Sequence, residues 1–194
     1  LYDMFHLIFP NRDFGVWNER LAKVSFFMAM ESAKCEEFER TIKELGQMLV
    51  HIEKAAYAFQ LKGEPVSCEN FGHGHINSTF KINTSTGAEY ILQRINKYVF
   101  KDPVRLMGNI SAVTEYLRER VTDPRMALHF IPAFDGKFYH VDEQGEFWRM
   151  HEFVGGFCLD TPETKEDFYQ SALAFGRFQS MLAQFPADTL YETI

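Results

Sequence analysis

The stretch FGHGHINSTFKI, Phe71 to Ile82, decides the fold of this chain, because it joins a pair of glycines to an alternating strand pattern. Gly72 and Gly74 lie one residue apart, and Phe80 and Ile82 then fall on one face of the strand that follows. Backbone amides of a glycine loop can converge on an anion, so the stretch is a candidate phosphate cradle. Walker A needs GK[ST] before a helix, and the dinucleotide fingerprint needs GxGxxG at the start of a helix, so both are excluded. The open interpretations are a kinase-type glycine hairpin over ATP phosphates and a tight hairpin without a ligand.

Two further patterns are similar to parts of metal or catalytic sites but have simpler interpretations. His73 and His75 form an H-x-H pair, but no third ligand of compatible placement is evident, so we predict solvated loop histidines and no metal site. The triplet HVD at 140–142 is similar to the start of a kinase catalytic loop, which needs an Asn five positions after its Asp. Phe147 stands there instead, so we interpret the triplet as a strand end.

Periodicity on both sides of the glycine stretch predicts an α+β fold. Apolar residues at spacings of three and four predict a helix over 36–61, with Gly63 able to end it. Three strands follow in the segments VSCENF, STFKIN and EYILQRI, with a turn at Ser85 to Gly87. Asp102 then caps a second helix, with Pro103 at its first position.

Turn signals and apolar spacing in the second half of the chain predict a β-meander followed by a last helix. Asp135-Gly136 is a hairpin signal between the strand candidates LHFIPAF and KFYHV. The segment EFWRMHEFV forms another strand that Gly155 and Gly156 end, and Thr161-Pro162 opens a helix that reaches Pro186. Since hairpins dominate, we predict an antiparallel sheet with a helix packed on it rather than a doubly wound sheet.

Composition limits the partners of the chain. Its 194 residues carry a formal net charge of −7, which disfavours nucleic acid as a partner. No apolar run approaches the roughly 20 residues that span a bilayer, and no basic run would hold a membrane surface. The amino terminus is a poor signal peptide, so we expect a cytoplasmic protein. The first residue is Leu rather than Met, so we expect a piece of a longer protein.

Three segments together carry a resemblance to a known family: GHGHINSTF, YILQRINKYVFKDPVRLMGNISAVTEYL and WRMHEFVGG. In combination they resemble the amino-terminal half of the N-acetylhexosamine 1-kinases, which belong to the aminoglycoside phosphotransferase and choline kinase superfamily. The resemblance implies a protein-kinase-like small lobe over residues 46–150. Residues 151–194 would be the hinge and the first helix of a truncated, helical large lobe, and residues 1–45 an amino-terminal extension.

The resemblance also implies roles for individual residues on the phosphate side. The loop Gly72, His73, Gly74, His75 to Ser78 would cover the nucleotide, with Asn77 and Ser78 near the phosphates. Gln93 stands where kinases usually keep a lysine for the α- and β-phosphates, and Asn109 is placed like its glutamate partner. A neutral Gln–Asn pair lacks the lysine's charge, so Arg94 or a group outside the chain would supply it. A purely structural hydrogen-bonded pair is the alternative.

The segment RMHEFVGG resembles the hinge between kinase lobes. Met150 would flank the adenine, while the His151 carbonyl and the Phe153 amide would read its edge. The alternative is an ordinary strand that leaves the sheet. The catalytic Asp, its Asn and a metal-binding Asp would lie beyond Ile194, because no H-x-D-x-x-x-x-N occurs in these 194 residues.

The function that the resemblance implies is ATP-dependent, Mg²⁺-assisted phosphoryl transfer to the anomeric hydroxyl of an N-acetylhexosamine. The substrate would be a small-molecule sugar, the chain alone would be inactive, and the oligomeric state stays open. One alternative is a related kinase for an aminoglycoside or a choline-like alcohol, because the large lobe chooses the substrate. The other is a non-catalytic nucleotide-binding or interaction module.

Overall fold

The computed structural model describes residues 35–72, 74, 76–156 and 161–192 of the chain, and the expectations for residues 1–30 lie outside them. The chain forms two compact units, Leu1–Lys54 and Ala55–Ile194. Helix α1 (Cys35–Tyr57) ends earlier than predicted. The reason is local, since Phe59 forms a β-bridge with Ala133 and can no longer continue a helix. The predicted domain boundaries at 45/46 and 150/151 stay predictions.

The second unit contains a five-stranded sheet in which every neighbouring pair is antiparallel. Its strands are β1 (Pro65–Asn70), β2 (Ser78–Thr84), β3 (Glu89–Arg94), β4 (His140–Val141) and β5 (Phe147–Glu152). The spatial order is β1-β2-β3-β5-β4, so β5 returns to pair with β3. The three predicted strands before the second helix and the antiparallel α+β class are confirmed.

The two predicted turns form as expected, but the strand predicted before one of them does not form, and the strand predicted after it is reduced to β4 (His140–Val141). Gly87 has φ +80° and donates its N–H to the Thr84 carbonyl at 2.9 Å, which closes the β2–β3 hairpin. Gly136 has φ +83° and donates to the Ala133 carbonyl at 2.9 Å. The strand predicted before it reduces to isolated bridges, because Pro132 has no N–H for a ladder.

Two helices follow strands β3 and β5 along the chain. Helix α2 (Pro103–Arg118) begins as predicted, with the Asp102 carboxylate accepting from the Arg105 N–H at 3.0 Å. Helix α3 (Lys165–Met181) begins later than Thr161-Pro162 suggested, because Thr164 and Asp167 form a reciprocal capping box. None of the described helices is long and apolar enough to cross a membrane.

The sheet has two chemically different faces, because successive side chains of a strand point to opposite sides. One side, called the apolar face, consists of residues that are at most 6% exposed: Phe80, Ile82, Tyr90, Leu92, Trp148 and Met150. The other side, called the polar face, carries Thr79, Lys81, Ile91, Gln93, Arg149 and His151. Helix α2 packs at one end of this polar side, where Met107 joins Ile95 and Phe147 in a buried cluster.

Candidate functional site

The glycine loop connects β1 to β2 as an exposed hairpin, as the sequence predicted. The Phe71 N–H donates to the Thr79 carbonyl at 2.9 Å, which closes the ladder just before the loop. Gly72 has φ +78°, a conformation that favours glycine, and a side chain on Gly74 would meet nothing within 4 Å. Both histidines of the loop, His73 and His75, lie outside the described residues. Within the described part of the loop, open space therefore surrounds Gly72 and Gly74.

The two polar residues that end the loop are engaged with the chain after β3. The Asn77 side-chain oxygen accepts from the Asn96 backbone N–H at 2.9 Å. The Ser78 hydroxyl accepts from Arg94 Nη2 at 3.1 Å. These contacts fix the loop's exit into β2, and the predicted position of both residues near phosphates stays a prediction.

A row of hydrogen-bonded side chains crosses three strands beside the glycine loop. Gln93 Nε2 donates to the Thr79 hydroxyl at 3.1 Å, and Arg149 Nε donates to Gln93 Oε1 at 2.9 Å. The strand register places these three residues directly opposite one another. We call Thr79, Gln93 and Arg149 the polar row. The prediction gave Gln93 a polar partner, but the partner is a cation rather than an amide.

Arg149 is the functional candidate that the sequence interpretation missed. Its Nη1 lies 3.9 Å from Met107 Sδ, and its guanidinium carbon lies 5.8 Å from the centre of the Phe130 ring. Among the described residues, no carboxylate forms an ion pair with it. Burial lowers the pKa of Arg149 to about 10, which still leaves it protonated at neutral pH. A charged residue between two apolar strand residues, Trp148 and Met150, was the available signal.

The predicted hydrogen-bonded pair of Gln93 and Asn109 does not form, because both amides have other partners. Asn109 Nδ2 donates to the Tyr191 carbonyl at 2.6 Å, and its Oδ1 accepts from the Tyr191 N–H at 2.9 Å. Its amide is thereby occupied by backbone 82 positions away. The α2 residue that faces the polar row is instead Met107, two positions before Asn109. Two positions along an α-helix turn the side-chain direction by about 200°, so Asn109 points away from the row.

Arg94, the predicted source of positive charge, points away from Gln93. Neighbouring strand residues occupy opposite faces, so Arg94 lies on the Trp148 side of the sheet. There its Nε lies 3.9 Å from the Glu146 carboxylate, and its side chain is 45% exposed. Arg94 therefore contacts a carboxylate, whereas Arg149 does not.

The predicted hinge residues divide between the two faces of the sheet. Met150 is 0% exposed on the apolar face, opposite to Gln93, so its side chain cannot line the same surface. The Phe153 amide, predicted to read the adenine edge, donates to the Glu89 carbonyl at 3.0 Å. Neither the N–H nor the C=O of Val154 has a hydrogen-bond partner within the described part of the chain. Among the described residues, the first backbone group after the ladder without a partner is therefore the Phe153 carbonyl, and both groups of Val154 follow it.

His151 lies on the polar face, two residues from Arg149. It pairs with Ile91 in the ladder, and its Nδ1 is 2.8 Å from the Glu152 carbonyl. Burial lowers the pKa of His151, the hydrogen bond to Glu152 opposes this shift, and the charge of Arg149 adds to it. His151 and Arg149 are therefore electrostatically coupled neighbours.

An aromatic contact joins the start of the glycine loop to the hinge. The rings of Phe71 and Phe153 meet edge to face, with centroids 5.5 Å apart. Lys81 Nζ lies 4.1 Å above the Phe153 ring and 2.6 Å from the Glu89 carboxylate. Sequence interpretation assigned no role to Phe71, and Phe153 was chosen for its backbone alone. The contact places apolar rings between the loop and the end of β5.

Comparison with known proteins identifies the fold. No protein-family model matches the sequence. An aminoglycoside phosphotransferase from Alicyclobacillus acidocaldarius is similar in structure with a TM-score of 0.52, at 14% identity over 72% of this chain and 37% of that protein. An amicoumacin kinase, solved in complex with AMP-PNP, Ca²⁺ and Ami, is similar with a TM-score of 0.55, at 16% identity over 75% of this chain and 43% of that protein.

The chain therefore has the α+β fold of the aminoglycoside phosphotransferase-type kinases. It spans less than half the length of either of these two proteins. The predicted kinase-like fold class is confirmed. Identities this low establish the fold and leave substrate and activity to be argued from the site.

Proposed function

We propose that this chain is the nucleotide-binding part of an ATP-dependent phosphotransferase that acts on a hydroxyl group of a small molecule. The observation that carries the proposal is the glycine hairpin, which opens at the same end of a kinase-like sheet as the polar row. Backbone amides near Gly72 would cover the phosphates, since glycine permits close approach.

In this proposal the nucleoside occupies the hinge end of the sheet. Phe71 and Phe153 supply apolar ring surface there. The adenine edge would be read by the backbone of Val154, because the Phe153 amide is already bonded to Glu89. This moves the predicted amide contact from Phe153 to Val154 and needs no particular side chain, while the predicted contact of the His151 carbonyl stays a prediction.

The proposed reaction is transfer of the γ-phosphoryl group to the acceptor hydroxyl. The acceptor oxygen forms the new P–O bond as the bond to the β–γ bridging oxygen breaks, and the hydroxyl proton passes to a base outside this chain. Mg²⁺ would neutralise phosphate charge in the bound nucleotide. The described residues contain no group of three or more His, Cys, Asp or Glu that could hold a metal ion.

The most specific form of the proposal is an N-acetylhexosamine 1-kinase, supported by the resemblance of the three quoted segments. A related kinase for an aminoglycoside or a choline-like alcohol is the alternative. Reading the gene beyond Ile194 separates either enzyme from a non-catalytic module. We expect an H-x-D-x-x-x-x-N followed by an acidic metal motif, and their absence would favour the module.

Calorimetric titration of the chain with Mg·ATP tests the nucleotide site directly. We expect saturable binding that Gly72→Val weakens by about tenfold, because the substitution strains a residue at φ +78° in the cradle. Gly87→Val is the matched control. It strains a hairpin glycine at φ +80° in the β2–β3 turn and should leave the affinity unchanged. An absence of binding by the wild-type chain, or equal weakening by both variants, would contradict the proposal.

A further inference from the structure

We propose that Arg149 binds the phosphate chain of the nucleotide and supplies from β5 the positive charge that kinases usually carry at the position of Gln93. This inference rests on the proposed function and names a residue for it. Gln93 acts as a positioning residue, since its amide links the guanidinium to Thr79. The pattern differs from the lysine–glutamate pair of protein kinases, because the cation stands on another strand and its helix-side neighbour is Met107.

The first argument is the missing counter-charge. A partly buried guanidinium is normally paired with a carboxylate or another strong acceptor. Arg149 has one amide oxygen, one thioether sulfur and an aromatic ring around it in the described part of the chain. Lys81, on the same face, is already paired with Glu89 at 2.6 Å. A bound anion would complete the surroundings of Arg149.

The second argument is access. Arg149 Nη2 has no hydrogen-bond partner among the described residues. Every fully buried side-chain nitrogen and oxygen in this part of the structure has a partner, so Nη2 must reach the solvent-accessible surface. A guanidinium can donate two parallel hydrogen bonds to one phosphate, and the unpartnered nitrogen is available for that geometry.

The third argument is position along the sheet. The glycine loop enters β2 at Ser78, and Thr79 is the next residue. The register carries this row through Gln93 to Arg149, so the guanidinium lies at the loop end of the sheet. The hinge is at the opposite end, where Glu152 pairs with Tyr90. The row is therefore on the side where a nucleotide held at the hinge would extend its phosphates.

The test compares three ligands on four proteins. Mg·ATP, tripolyphosphate and adenosine are titrated into the wild-type chain and into Arg149→Met, Arg94→Met and Arg125→Met. We expect Arg149→Met to weaken the binding of ATP and of tripolyphosphate about tenfold to a hundredfold, which is the range for losing a charged hydrogen bond. The affinity for adenosine should be unchanged. Arg125 pairs with Asp123 on the surface, so its variant controls for net charge. Arg94→Met tests whether Arg94, which the sequence suggested as the source of positive charge, binds the phosphates instead.

A rescue experiment separates anion binding from a structural role. Gln93→Lys in the Arg149→Met background should restore tripolyphosphate affinity to within about threefold of wild type, whereas a structural arginine would not be replaced by a lysine on β3. Arg149→Lys covers the case in which the methionine variant fails to fold. It keeps the charge without the planar guanidinium and should weaken tripolyphosphate less than the methionine does.

Each outcome separates this inference from the proposed function. If the wild-type chain binds neither ATP nor tripolyphosphate, the proposed function fails together with the inference. If the wild type binds and Arg149→Met and Arg149→Lys bind equally well, the inference fails alone. Weakening by Arg94→Met without weakening by Arg149→Met would assign the charge to Arg94 and would overturn the inference as well.

Discussion

The two faces of the sheet are built from alternate residues of the same strands, yet they differ in polarity. Leu92 and Met150 on the apolar face are 0% exposed. Their direct neighbours Gln93 and Arg149 form a polar row with a cation that has no described carboxylate partner. Burial of apolar surface stabilises folds, whereas unpaired buried charge usually does not. We therefore expect the fully buried side chains of the apolar face to matter most for stability, and the polar row to matter most for the ligand binding that we propose.

The largest expected effect is on the apolar face. Leu92→Ala should lower the free energy of unfolding by about 2–5 kcal/mol, because it leaves a cavity at a fully buried site. Urea denaturation followed by tryptophan fluorescence measures this loss. Leu92→Met, which conserves volume, should cost less than about 1.5 kcal/mol. A loss below about 1 kcal/mol for the alanine variant would contradict the expectation that the apolar face stabilises the fold.

A smaller effect is expected on the polar face. Arg149→Met should change the free energy of unfolding by no more than about 1 kcal/mol. The lost hydrogen bond to Gln93 and the relieved desolvation of the guanidinium are opposing contributions of similar size. The same urea experiment applies, with the exposed Arg125→Met as control. A loss above about 2 kcal/mol would mean that Arg149 is a structural residue.

The smallest expected effect is a change in the titration of His151. Its folded-state pKa lies below the ordinary 6.5 because of burial and the charge of Arg149, so the unfolded chain binds more protons between the two values. The stability contribution is therefore present above pH 6.5 and is lost as the pH falls below it. NMR titration should show the pKa of His151 rising in Arg149→Met and unchanged in Arg125→Met. An unchanged value in both would show that the two side chains are uncoupled.

Local sequence patterns predicted most elements of this fold. Alternation located β2 and β3, the break at Gly155 and Gly156 located the end of β5, and Asp102 with Pro103 located the start of α2. The end of α1 was placed too late, because its last predicted turn is used for a bridge to Ala133. Such a bridge joins distant segments and leaves no periodic signal in the sequence. A helix end of this kind can therefore be located only from the three-dimensional structure.

The candidate site was less predictable, since its contacts join distant parts of the sequence. Gln93 could be named from its place in β3, but its contact with Arg149 depends on β5 pairing with β3 over 56 positions. The Asn109 contact with Tyr191 spans 82 positions, and no local pattern indicates it. Strand parity was the one usable clue, because it places Arg149 and Met150 on opposite faces.

The Asn109–Tyr191 contact has a mechanical consequence. Asn109 holds the Tyr191 backbone by two hydrogen bonds, and the Arg105 guanidinium stacks 5.0 Å from the Tyr191 ring. About two turns further along α2, near its end, Tyr116 meets Phe185 edge to face, with ring centroids 5.1 Å apart. Helix α2 and the segment after α3 are thus fastened at several points along their length. A displacement of either segment would therefore move the other as well.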